Sequence, residues 1–271
     1  MKATVIVAIY KDIEALDLIL KSLSEQTYSG SYEIIVAEDG SDISVKEFIK
    51  NLPYNNILHT TQKDVGWQKN KSINNAIKIS KGELLIFLDG DCIPYSNFIE
   101  NYLLSAKPKT ALAGRRVELG AQYSAKLRAK EISSQELEKN YFKHYFSLMR
   151  DNTRRYEEGI KFNKFVHKLR YKDKVSHILG CNFAVNRQDM LNINGFNEDY
   201  TSPSVGEDTD IEFRLIKTGC VIKPVRNLAN IFHLFHETKY SSADHENSTK
   251  IYNKIKGKNE FVCKNGIKKL D

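Results

Sequence analysis

No run of apolar residues in this chain approaches the roughly 18 that a helix needs to cross a bilayer. The first apolar stretch, within MKATVIVAIYKDIEAL, is short, is followed by Asp12 and Glu14, and has no small-residue cleavage site, so a secretory signal is not expected. Cysteine is scarce too: Cys92, Cys181, Cys220 and Cys263 lie far apart without a CxxC pair. That spacing excludes a zinc knuckle or a disulfide framework and predicts reduced, buried thiols. There is neither an internal repeat nor a low-complexity tract. What is present is the balance of an ordinary globular protein, 41% apolar and 28% charged over 271 residues, enough for one main domain with a decorated end. The expected compartment is the cytoplasm.

Charge is unevenly placed. Residues 121–175 carry fourteen Lys and Arg against seven Asp and Glu, a surplus equal to the +7 of the whole chain, and residues 250–271 carry seven against two. The remainder is therefore net acidic. An acidic site region with basic appendages suits contact with phosphates, nucleic acid or an anionic membrane, although a solvated basic helix surface has the same composition.

Residues 3–9, ATVIVAI, read as a buried strand because β-branched residues fill a short run without helical spacing. DIEALDLILKSLSEQ follows with Ile13, Leu16, Ile19, Leu20 and Leu23 on one helical face and Asp12 as its cap. YEIIVAEDGS and NILHTTQ read as strands, KNKSINNAIKIS as a helix, and GELLIFLDGD as another strand. Strands alternating with helices predict an α/β fold with a mostly parallel central sheet flanked by helices, whose ligands gather at the carboxyl ends of the strands. Past residue 120 the alternation lapses. The proline-free stretch 121–175 has helical Leu and Phe spacing and reads as a basic helical insertion. HILGCNFAVNRQDMLNINGF restores a strand and a helix, and EDTDIEFRLIKTG reads as a helix with an acidic first turn and Gly219 at its close. Residues 241–271 read as a basic tail.

Both acidic turns, Glu38-Asp39-Gly40 and Asp89-Gly90-Asp91, fall at strand ends. Asp89 and Asp91 are two residues apart, so a turn at Gly90 can bring both carboxylates around one cation, and hard oxygen donors suit Mn²⁺ or Mg²⁺. Asp and Gly are also common turn formers, so this triplet alone does not decide between a metal site and a plain turn.

The order of an N-terminal strand, Glu-Asp-Gly-Ser, Asp-Gly-Asp about fifty residues on, and a later Gly-Glu-Asp resembles the family-2 glycosyltransferases of the GT-A fold, over residues 1 to about 120 and 176–240. Residues 180–215, GCNFAVNRQDMLNINGFNEDYTSPSVGEDTDIEFRL, are further similar to the galactosyltransferase-type carboxyl-terminal segment of inverting enzymes. The resemblance implies a nucleotide-sugar-binding half (1–120) and an acceptor and catalytic half (176–240). It implies nucleotide contacts from Ile9, Tyr10 and Asp39, diphosphate contacts around Asp89 and Gly90, and a basic residue nearby, Lys71 with Lys69 behind it. Trp67 fits either the core or this site. Asp89 and Asp91 are the implied DXD metal ligands, joined by a histidine from NIFHLFHET, either His233 or His236. Asp208 is the implied general base, and Glu207 helps to hold the acceptor or orient the loop.

The implied reaction is inverting, metal-dependent transfer of a hexose or N-acetylhexosamine from a UDP-sugar to a glycan or lipid-linked acceptor in bacterial surface polysaccharide synthesis. The enzyme would work in the cytoplasm, with peripheral contact to an anionic membrane and no nucleic acid partner. Two other readings are nucleotidyl transfer, for which AIYKDIEAL supplies no Gly-rich phosphate loop, and a nucleic-acid-binding module built on 121–175. The chain departs from the family at Ser202-Pro203-Ser204-Val205, which lacks the tryptophan platform for a sugar ring and leaves donor and acceptor identity open.

Overall fold

The computed structural model describes residues 1–172, 174–202, 206–237, 241–258 and 260–270. The first half alternates as its sequence pattern predicts: β1 (Ala3–Ile9), α1 (Ile13–Ser24), β2 (Tyr32–Glu38), α2 (Ile43–Lys50), β3 (Ile57–Thr60), α3 (Lys69–Ile79) and β4 (Leu84–Asp89). Then come β5 (Cys92–Pro94), α4 (Phe98–Ser105), β6 (Thr110–Ala113) and β7 (Val117–Glu118). Helices α5 (Ala121–Arg128), α6 (Ser134–Lys139), α7 (Tyr141–Arg150) and α8 (Lys164–Tyr171) occupy the basic stretch. The chain closes with β8 (Asn182–Asn186), α9 (Arg187–Asn192), α10 (Glu207–Lys217), β9 (Val221–Pro224), β10 (Ile231–His233) and α11 (Ser242–Lys258).

The main sheet has the order β3-β2-β1-β4-β8-β6-β9, and only β8 runs against the others. Each face of this sheet carries its own core, which is why the strands read as continuous apolar runs and not as alternating ones. Val5, Val7 and Ile9 point into the core shared with α1, while Ile6 and Ala8 point into the one shared with α3 and α10. On α1, Leu16, Ile19, Leu20 and Leu23 are fully buried, each worth about 1.5–3 kcal/mol of transfer free energy. Asp12 starts that helix by accepting from the Ala15 amide at 3.0 Å.

The basic stretch is built into the same core. Leu127, Leu137, Tyr141 and Leu148 are buried with the α1 side of the sheet, and Arg128 and Lys130 pair with Asp12 and Asp17 of the α1 segment. The carboxyl-terminal basic stretch is also packed. Ile255 and Cys263 are buried, and Asn194 Nδ2 donates to the carbonyls of Cys263 and Lys268. All four cysteines are free and buried. No helix among the described residues is long and apolar enough to cross a membrane.

A second, three-stranded sheet, β5-β10-β7, was not legible from periodicity because its strands are two or three residues long. It sets His233 opposite Cys92, the residue after Asp91.

Candidate active site

Strands β1, β2 and β4 are neighbours and parallel, so the turns that follow them share one edge. Ile9 lies opposite Glu38 and Ala8 opposite Asp89. The space between the turns is a cleft of about 470 Å³. Of the residues implied by resemblance, Ile9, Tyr10, Asp39, Asp89, Gly90, Asp91 and His236 line it. Gly90 is required sterically: a Cβ there would lie 2.8 Å from the Ala8 carbonyl and 3.0 Å from Ile9 Cγ2.

Asp39 is held rigidly, accepting from Gln62 Nε2 and from the Gln68 amide, each at 2.7 Å. A carboxylate oxygen has a second lone pair, so both remain able to accept from a ligand N–H. Tyr10 is half exposed at the mouth, and Lys11 Nζ, which donates to its hydroxyl at 2.8 Å, also pairs with Asp64.

Asp91 Oδ2 lies 3.4 Å from His233 Nε2 and 3.3 Å from His236 Nε2. Burial alone would raise the Asp91 carboxyl, but the hydrogen bond from His236 is the main influence that holds it well below the usual carboxylate range. The two imidazoles differ. Burial pushes His233 down against the pull of Asp91, whereas the hydrogen bond to Asp91 lifts the more exposed His236 to about 9. Donor atoms of Asp91, Cys92 and His233 lie within 4.8 Å of one another. Burial pushes the Cys92 thiol up, so it stays protonated and is a poor ligand beside a carboxylate and a neutral imidazole. The Asp91 carboxylate and the His233 imidazole nitrogen are donors that suit Mn²⁺ or Mg²⁺; Asp89 is not part of this group, its Oδ1 lying 2.6 Å from Lys69 Nζ.

The lysine that lines the cleft is Lys69, whose Nζ is 2.6 Å from Asp89 Oδ1. Lys71, placed first by resemblance, instead donates to Gln68 Oε1 at 3.2 Å and does not line the cleft. The reversal follows from the start of α3 at Lys69: positions 69 and 71 are about 200° apart around a helix, so only one can face β4. Trp67 lines the cleft and does not lie in either core. Asp12, Asp64, Arg128 and Phe235 also line it and carried no motif signal. Arg128 reaches the cleft only because α5 packs on α1, where it grips both carboxylate oxygens of Asp12 at 2.7 and 2.8 Å.

Glu207 and Asp208 open α10 behind Gly206, whose φ of +139° suits glycine. Burial lifts the Glu207 carboxyl to about 7, opposed by the charge of Lys69, so this acid is electrostatically tied to the cleft. Asp208 accepts from the Thr209 amide at 2.8 Å and, weakly, from the Gly180 amide at 3.4 Å. Neither acid lines the cleft itself. Residues 203–205 of the departing loop lie outside the described residues. Arg214 is structural: fully buried, it pairs with Asp210 at 2.6 Å and donates to the carbonyls of Ile193 and Gly195. Asn74 of α3 fastens the same turn, donating to the Phe196 carbonyl and accepting from its amide.

This arrangement can be set against known proteins. The profile described as Glycosyl transferase family 2 matches residues 4–191. The chain belongs to glycosyl transferase family 2. A second profile, described as N-terminal domain of galactosyltransferase, matches residues 161–237 of this family-2 chain. Chondroitin synthase of Escherichia coli is 24% identical over 229 residues, 82% of this chain and 33% of that protein. Glycosyltransferase AglE of Haloferax volcanii is 33% identical over 100 residues, 36% of this chain and 33% of its own. The chain thus spans about a third of these curated relatives. Among solved structures, TarS of S. aureus superposes with a TM-score of 0.61 at 14% identity, covering 94% of this chain and 39% of that one. Mannosyltransferase PcManGT of Pyrobaculum calidifontis, in complex with GDP-Man and Mn²⁺, superposes at 0.56 with 16% identity, covering 88% and 58%. These likenesses show the GT-A fold. Family membership selects glycosyl transfer over nucleotidyl transfer among the readings the sequence allowed.

Proposed function

We propose that this family-2 domain transfers a hexose or N-acetylhexosamine from a UDP-sugar, with inversion, to a glycan or lipid-linked acceptor in bacterial surface polysaccharide synthesis. One observation carries the reading: Asp39 after β2 and Asp89 and Asp91 at the end of β4 line one cleft, with Lys69 linking them electrostatically to Glu207 at the start of α10. Support for a polymeric product comes from the chondroitin synthase relative, and support for a divalent ion from the mannosyltransferase PcManGT, whose complex contains Mn²⁺.

Inversion requires a carboxylate on the acceptor side of the anomeric carbon. Asp208 fills that role, taking the acceptor hydroxyl proton as its oxygen attacks and the bond to UDP breaks. Glu207, lifted to about 7, is partly protonated at neutral pH and can donate as well as accept toward an acceptor hydroxyl. Asp39 accepts from the uracil N–H, Tyr10 offers its ring to the base, and Lys69 holds positive charge beside Asp89 where the diphosphate lies. Asp89, Asp91 and the neutral His233 would hold Mn²⁺ or Mg²⁺, which supplies Lewis-acid stabilisation of the leaving diphosphate when bound.

The test is hydrolysis of a panel of UDP-sugars and GDP-mannose by the chain with Mn²⁺, with and without EDTA. UDP release from one UDP-sugar, abolished by chelator, is the expected result. Turnover of GDP-mannose alone, or turnover indifferent to EDTA, sinks the donor and metal assignments.

The same reading includes peripheral contact with an anionic membrane. Phe142 and Phe146 on α7, and Phe165 and Leu169 on α8, are at least 70% exposed one helical turn apart. Lys143, Arg150, Lys164 and Lys168 flank them, a pairing that suits an acidic bilayer surface. Co-sedimentation with phosphatidylglycerol vesicles that falls for Phe142→Ala/Phe146→Ala is expected; equal binding to neutral phosphatidylcholine vesicles would rule the contact out.

A further inference from the structure

A second cavity, of about 380 Å³, lies away from the cleft and is walled by Arg115, Arg170, Lys174 and Arg226 with Tyr171 and Ser176. Four cations converge there, and among the described residues no carboxylate lines it. Arg226 is partly neutralised by Glu158, to which its Nε donates at 3.1 Å. Arg115, Arg170 and Lys174 make no ion pair among the described residues, which do not include Asp173. Like charges gathered in a concave site repel one another unless an anion joins them.

The cations are also positioned in advance. Arg115 Nη1 donates to the carbonyls of Gly114 at 2.7 Å and His177 at 2.9 Å, which fixes the guanidinium plane without consuming its charge. The guanidiniums of Arg170 and Arg226 lie 5.8 and 5.5 Å from the centre of the Tyr171 ring, whose hydroxyl is tied to Asn227. A planar, fixed donor fork of this kind matches the oxygens of a carboxylate or phosphate.

Location narrows the ligand. Ser176 forms one wall, and four residues further along the same segment the Gly180 amide contacts Asp208. Four residues span at most about 14 Å, so one wall of the cavity lies within that reach of the contact to Asp208, the proposed proton acceptor. Arg170, Tyr171 and Lys174 come from the basic stretch, so the insertion contributes half of this site.

We propose that this cavity is an anion subsite for the acceptor, holding a carboxylate or phosphate group of the acceptor while a hydroxyl elsewhere on it faces Asp208. The inference rests on the glycosyl-transfer reading for the identity of its ligand. A carboxylate would come from an acidic sugar and a phosphate from a phosphorylated carrier; the shared chemistry is the oxyanion.

The test uses the full chain with UDP and Mn²⁺ at saturation, so that the donor cleft is filled. A glucuronate-containing tetrasaccharide is titrated beside its carboxyl-reduced counterpart, and a short polyprenyl phosphate beside the corresponding polyprenol. At least one acidic probe is expected to bind about tenfold or more tightly than its neutral twin. Arg170→Ala/Lys174→Ala, which alters only exposed side chains of the wall, should erase that advantage and leave UDP affinity unchanged. Whichever pair shows the advantage names the source of the anion. Acidic probes that bind no better than neutral ones, or an advantage that survives in the double variant, overturn the subsite. Failure of the wild-type chain to bind UDP is read separately and overturns the donor reading instead.

Discussion

Among the described residues, the cleft at the ends of β1, β2 and β4 is lined by five carboxylates against two permanent cations, Lys69 and Arg128, whereas the cavity beside Arg115 is lined by four cations and no carboxylate. Both suit anionic ligands, by opposite routes. The acidic cleft would take a diphosphate only through an added divalent ion, so its occupancy should respond to chelator. The basic cavity meets an oxyanion directly, so its occupancy should respond to salt. One chain thereby separates control of its two proposed substrates.

The largest effect that can break this contrast is expected from Asp91→Asn. It removes the charge on which both imidazoles converge, so transfer should fall below detection and UDP affinity should lose its EDTA sensitivity, as calorimetry with and without Mn²⁺ would show. Retained metal-dependent binding would place the ion elsewhere. Asp208→Asn should cost about 10²–10⁴-fold in transfer and leave UDP binding intact, since this side chain lies outside the cleft. Equal loss of both would remove its assignment as the base.

Smaller effects concern pH and salt. Burial raises Glu207 from 4.5 to about 7, so between those values the folded chain keeps a proton that the unfolded chain has released. Stability from this group is greatest below about 4.5 and falls as pH rises through about 7. Melting temperatures of Glu207→Gln measured from about pH 5 to 8 should therefore decline less than those of the parent; an unchanged slope would show that the carboxyl is not held in its neutral form. The mildest test is ionic strength. Raising NaCl from about 0.1 to 0.5 M shortens the screening length from about 10 Å to less than half of that, which should raise KM for an acidic acceptor several-fold and change the donor KM less. Parallel changes in both would dissolve the distinction between the two sites.

The motif residues were legible because their chemistry and their strand ends coincide: alternation of strands and helices put both acidic turns at strand ends, and the family resemblance assigned Asp39, Asp89 and Asp91 to one site. The resemblance puts Lys71 ahead of Lys69, but the helical phase of α3 turns Lys69 to the cleft, with Asn70 and Asn74 of that helix docked against residues 196–197. Arg128 and the four-cation cavity carried no local signal. Each forms where segments distant in sequence are packed together, Arg128 against Asp12 and Arg170 near Arg115 and Arg226.

By itself, then, the order of residues determined the α/β layering, the parallel strands and the acidic turns at their ends, because side-chain period and turn chemistry act over a few residues. Only the tertiary structure decided which lysine faces the carboxylates, that both His233 and His236 reach Asp91, and that cations from three separate segments surround one cavity. Those outcomes depend on distances between chain segments, and no local interaction along the chain encodes them.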